Sequence, residues 1–115
     1  MEQEFLQQGI DQVRQGNYET AIALFNRAIL SENSLDLVYY HRGLGYYEWG
    51  KIEQAIADYD RSLNCNPQQV KVYFSRATAF LALNNIQSTI IYLPIIFSLF
   101  PVYATASTLS SIISL

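Results

Sequence analysis

The chain has 115 residues, half of them hydrophobic, a net charge of -3 and a pI near 4.9. That length suits one domain or a short repeat array. The acidic balance excludes a nucleic-acid footprint, which needs clustered Lys and Arg. The single cysteine, Cys65, excludes an internal disulfide and gives no sign of an oxidising compartment.

In chain order the pattern predicts helical hairpins. A first helix over about 3–15 carries Phe5, Leu6, Gly9, Ile10 and Val13 at helical spacing. Its start, "MEQEFLQQG", is acidic and does not read as a secretory signal. Gly16-Asn17 predicts a tight break, and a second helix over 18–30 carries Ala21, Phe25 and Ile29. A third helix over 36–48 lies within "YYHRGLGYYEWG", which packs five aromatics and three glycines into twelve residues. Gly50-Lys51 predicts the next break, a fourth helix spans 52–64, and Pro67 stops it. A fifth helix follows over 70–83. Asn84-Asn85 stands where a glycine break would be, with a sixth helix expected from about 86.

These elements repeat at an offset of 34 residues. Gly16 falls on Gly50 and Asn84, Ala21 on Ala55 and Thr89, Phe25 on Tyr59 and Leu93, and Ile29 on Leu63 and Phe97. Upstream, Phe5, Tyr39 and Tyr73 align, as do Gly9, Gly43 and Ala77. Gly43 inside a helix costs about 1 kcal/mol relative to Ala. That cost is expected where another helix backbone comes close, with Tyr39 and Tyr46 packing on either side.

The second unit carries Tyr39, Gly43, Tyr46, Gly50, Ala55, Tyr59 and Pro67. This order of large, small, large, break, small, large and proline resembles the tetratricopeptide repeat (TPR) family, in a form similar to bacterial-type repeats. The first unit departs from it at Gln12, where an aromatic is usual, and at Asn33, where proline is usual. The resemblance implies an all-α, TPR-type helical-hairpin solenoid with two clear repeats, a degenerate third and an apolar C-terminal helical segment. The expected division is repeat 1 over 1–34, repeat 2 over 35–68, a degenerate repeat 3 over 69–101 and a tail or closing helix over 102–115.

A second apolar stripe runs beside the first on each odd-numbered helix: Leu6, Ile10, Val13; Tyr40, Leu44, Tyr47; Phe74, Thr78, Leu81. In the family these helices line a concave surface that holds peptides or helices of partner proteins. The resemblance implies that Leu6, Ile10, Tyr40, Leu44, Tyr47, Phe74 and Thr78 face such a groove. Tyr suits it, giving large contact area at small entropic cost. The competing reading is that the next helix or the C-terminal segment simply covers these residues. Lys71, beside His41, Ser75 and Leu6, is too little for the carboxylate clamp of some family members. Arg42 and Arg76 also align, and with Asp58, Asp60 or Glu53 they are expected to form exposed inter-helix ion pairs contributing about 0–1 kcal/mol each.

No catalytic motif is present in the sequence. His41 and Cys65 are 24 residues apart on different expected helices, and a Cys–His pair needs contact and an orienting third group. One Cys and one His cannot make a four-ligand Cys/His metal site. The "GLG" lies within a helix rather than after a strand, so it is no phosphate cradle. The expectation is a non-enzymatic scaffold with no cofactor or metal, located in the cytoplasm, whose partner is another protein or peptide.

The remaining feature is charge. All ten acids and seven bases lie between residues 2 and 76, and none from 77 to 115. Residues 90–109 reach the roughly 20 largely apolar residues of a membrane span. Pro94, Pro101 and six Ser or Thr among the last twelve residues weaken it. Three readings of 86–115 stay open: a membrane anchor holding the repeats at the cytoplasmic face, a self-associating or folded-back packing segment, and a degenerate end. A kink or break is expected near Pro94.

Overall fold

The computed structural model describes residues 2–31 and 33–99. Among them are five helices: α1 (Glu2–Arg14), α2 (Tyr18–Ser31), α3 (Leu35–Glu48), α4 (Ile52–Cys65) and α5 (Val70–Leu99). Pro101 and the expected tail over 102–115 lie outside the described residues. By internal contacts the chain divides into two units, one ending at Phe80 and one beginning at Leu81.

In the first unit α1 pairs with α2 and α3 with α4, and α3 also packs on both α1 and α2. The two tight turns are alike bond for bond. Gly16 N–H donates to Val13 O at 3.0 Å and Asn17 N–H to Gln12 O at 2.9 Å. Gly50 N–H donates to Tyr47 O at 3.0 Å and Lys51 N–H to Tyr46 O at 2.8 Å. This pair of bonds closes a helix end when the residue after it takes a left-handed backbone. Gly16 (φ 79°) and Gly50 (φ 84°) do so, at no steric cost.

The small residues sit where the large ones of the next helix arrive. A Cβ added at Gly9 would lie 2.5 Å from the Phe25 ring, and one at Gly43 would lie 2.6 Å from the Tyr59 ring. Gly45 faces the other way, its added Cβ 3.2 Å from Val13 and 3.4 Å from Phe25. So "GLG" lets α3 approach α4 on one side and the first hairpin on the other. Ala21, Phe25, Ala28 and Val38 form a buried cluster, with Phe5, Leu6, Ile10, Val13, Ile22 and Ile29 packed against it. Ile52, Ala55, Ile56, Tyr59, Leu63, Val72 and Ala79 are buried beyond it.

The third unit departs from expectation. No turn is made at Asn84-Asn85, and no sixth helix begins at 86; α5 runs through both positions and through Pro94 to Leu99. There is no glycine to take a left-handed backbone at 84, and no described non-glycine residue has positive φ. The break expected near Pro94 is also absent: proline forgoes one ladder bond, and here the helix continues past it. Accordingly Ala77 is exposed and Tyr73 is 43% exposed, whereas their counterparts Gly9 and Gly43 are buried. Among the described residues no helix is long and apolar enough to cross a membrane; the sequence window over 90–109 extends beyond them.

Candidate functional site

Two hollows adjoin on the first unit. The larger, of about 620 Å³, lies between α1 and α3, with Tyr18 contributed by α2. Ile10 and Val13 wall it from α1, and His41, Leu44 and Glu48 from α3, with Arg14 at the rim. The smaller, of about 180 Å³, takes Leu44, Tyr47 and Glu48 from α3 and Phe74, Ser75 and Thr78 from α5, with Tyr59 of α4 at its base. Leu44 and Glu48 line both.

Of the seven residues expected in a groove, five line one or both hollows: Ile10, Leu44, Tyr47, Phe74 and Thr78. Leu6 and Tyr40 line neither. Leu6 packs against the buried cluster of the first hairpin. The Tyr40 ring lies 5.2 Å from that of His41, edge-on, and 6.2 Å from that of Tyr59, with the Lys71 ammonium 4.9 Å from its centre. Toward α1 the lining face of α3 therefore runs along His41, Leu44 and Glu48, one residue round from Tyr40, Leu44 and Tyr47. The spacing of three and four at 41, 44 and 48 was visible in the sequence. Two polar residues in that stripe hid it.

His41 is held below its ordinary value of 6.5, first by burial and then by the positive charges of Lys71 and Arg14. It stays neutral at pH 7 and offers the hollow a hydrogen-bonding edge rather than a charge. Burial also raises the Tyr59 hydroxyl, reinforced by Tyr40 and Tyr47. Cys65 is exposed at the end of α4. No cluster of His, Cys, Asp or Glu able to hold a metal occurs among the described residues.

Below this surface lies an ion network. Arg42 donates to both carboxylate oxygens of Asp58, Nε to Oδ2 and Nη2 to Oδ1, each at 2.7 Å. Its Nη1 reaches Asn26 Oδ1 at 2.8 Å, and Arg61 Nη1 adds a 2.7 Å bond to Asp58 Oδ1. Burial alone would lower the Arg42 guanidinium; the bond and charge of Asp58 outweigh it and raise the group. Arg76 meets Asp60 at 2.7 Å by the same spacing of 16 residues. The aligned arginines thus make the inter-helix pairs their positions suggest. The expectation that both are exposed fails for one of them: the Asp58 side chain is 0% exposed and that of Arg42 15%. A second buried polar group went unread in the sequence. Gln69 Nε2 donates to Ser62 O and Asn66 O at 3.1 and 2.8 Å, closing the end of α4, while Ser62 Oγ donates to Asp36 O at 2.7 Å.

No curated protein matches the chain. A family model described as TPR repeat matches residues 43–84, the stretch from Gly43 through α4 into the first half of α5. Such a repeat serves protein–protein interaction and is typically not catalytic. Matched repeat and paired hairpins agree: residues 43–84 are a tetratricopeptide repeat, and the chain is an all-α array of TPR-type helical hairpins.

Proposed function

We propose that the chain holds an apolar segment of a partner protein along the two adjoining hollows, with Leu44 at their shared wall. The observation that supports this most is their continuity: α1, α3 and α5 contribute in turn, and Leu44 and Glu48 belong to both. Ile10, Val13, Leu44, Tyr47 and Phe74 supply apolar contact, and Phe74 is 75% exposed. His41, Arg14 and Glu48 supply polar direction at the edge. A short helix or extended strand with apolar residues on one face fits such a lining, its own polar face left to water. We also read the sequence units 1–34, 35–68 and 69–101 as the repeats behind this surface, the third without its closing turn.

The test is selection of binders from a displayed random-peptide library, followed by titration of the enriched peptides. Leu44→Glu should weaken binding at least tenfold, the Tyr40→Ala, Tyr47→Ala double variant should weaken it less, and both should keep the helical circular dichroism of the parent. Peptides that bind Leu44→Glu as tightly as the parent would place the site elsewhere.

A further inference from the structure

The face of α5 opposite its buried residues carries a second surface. Val72 and Ala79 are fully buried, while Val70 (83%), Phe74 (75%), Leu81 (65%) and Ile91 (63%) are exposed. Ala77 and Asn84 are exposed with them. Positions 70, 74, 77, 81, 84, 88, 91, 95 and 98 follow one another by alternating steps of four and three. That is the seam of a two-helix coil, kept on one side over four heptads. Six of the nine are apolar; Asn84, Ser88 and Ser98 are the exceptions. At about 1.5 Å per residue, α5 is about 45 Å long.

We propose that the occupant of this seam is α5 of a second copy of the chain, running antiparallel. In an antiparallel pair the two alternating sets of seam positions face each other. The seam's own order then matches large to large and small to small. Val70 stands at the level of Ile95 of the second copy, Phe74 of Ile91, Ala77 of Ser88, and Leu81 of Asn84. The two-fold axis passes between positions 82 and 83, so each layer occurs twice. A seam that complements itself when reversed is the requirement for a closed symmetric dimer. No charge lies beyond Arg76. The half of each helix that meets the other copy's Lys71 and Arg76 therefore carries none to repel them. Asn84 at a seam position sets register at some cost in stability, as a buried polar residue does in such coils. Antiparallel pairing also sends the two sets of repeats to opposite ends of the seam.

Sedimentation equilibrium of the full chain tests this. The expected species is a dimer of twice the 13.1 kDa chain mass. Leu81→Glu and, separately, Ile91→Glu should each raise the dimer dissociation constant about 100-fold or more, because each buries an unpaired charge in an apolar layer. Both side chains are exposed in the single chain, so helicity should be retained. Orientation is read from cysteines in a Cys65→Ser background. Ala77→Cys with Ser88→Cys should oxidise to a covalent dimer, and Ala77→Cys alone should not. Positions 77 and 88 lie about 16 Å apart along one helix, so they cannot bridge within α5. A chain that is monomeric at every concentration overturns the proposal, as does a disulfide formed within one chain. A monomer that floats with phosphatidylcholine vesicles assigns the seam to lipid instead, and a dimer through Ala77→Cys alone makes the coil parallel.

Discussion

The second hairpin and α5 start from the same sequence plan and end differently. Tyr39, Gly43 and Tyr46 on α3 correspond to Tyr73, Ala77 and Phe80 on α5. In α3 a glycine at 50 turns the chain, α4 returns, and Gly43 is buried against Tyr59. In α5 the corresponding position is Asn84, the helix continues, and Ala77 and Phe80 stay exposed. One residue able to take a left-handed backbone separates a closed hairpin from a long helix. Apolar pattern says which faces can pair; the turn decides whether the chain brings them together.

The same contrast appears in the ion pairs. Arg42–Asp58 and Arg76–Asp60 share a spacing and a 2.7 Å distance, but Asp58 is wholly buried and Asp60 is half-exposed. The largest expected effect follows from this. Arg42→Ala should cost about 3–5 kcal/mol in chemical denaturation, because it leaves the Asp58 carboxylate buried with only Arg61. Arg76→Ala should cost about 1 kcal/mol or less. Equal costs would mean that burial does not distinguish the pairs.

Gly43→Leu comes next. The new side chain must enter space held by the Tyr59 ring, and overpacking of this kind costs about 1–3 kcal/mol. The thermal midpoint should fall by several degrees. An unchanged midpoint would mean that α3 and α4 do not meet at this point. Ala77→Leu, at the corresponding place on α5, should change it little, since that face is exposed.

The turn itself can be transplanted. Asn84→Gly should lower helix stability by about 1 kcal/mol relative to an Ala at that site. It should also raise amide exchange at 83–86 selectively. Uniform exchange along α5 would show that the missing glycine is not what keeps this helix straight through.

The smallest effect concerns pH. Because the folded state holds His41 below 6.5, the unfolded chain binds the extra proton first as pH falls. The stabilisation is complete above about 6.5 and declines as pH drops toward the lowered folded value. Arg14 from α1 and Lys71 from α5 oppose the protonated ring, and Glu48 lines the same hollow. His41→Gln should flatten this part of the stability profile between neutral and mildly acidic pH. An unchanged slope would assign it to other groups.

Helix positions, the two glycine turns and the small-against-large contacts were legible in the sequence, because each depends on residues close in the chain and on a repeating offset. The arginine pairs were legible as partners but not as energies. Burial of Asp58 depends on Asn26, Arg42 and Arg61 meeting from three helices. The groove was legible only in part. Tyr40 and Leu44 are equally apolar in the sequence, yet the rotation of α3 against α1 puts His41 and Glu48 beside Leu44 in the larger hollow and turns Tyr40 toward Tyr59 and Lys71. The sequence by itself determined an all-helical repeat with two closing turns and an uncharged end. Only the tertiary structure decided that the third unit stays open along one helix, since an asparagine at 84 permits either a turn or a continued helix and local chemistry does not choose between them.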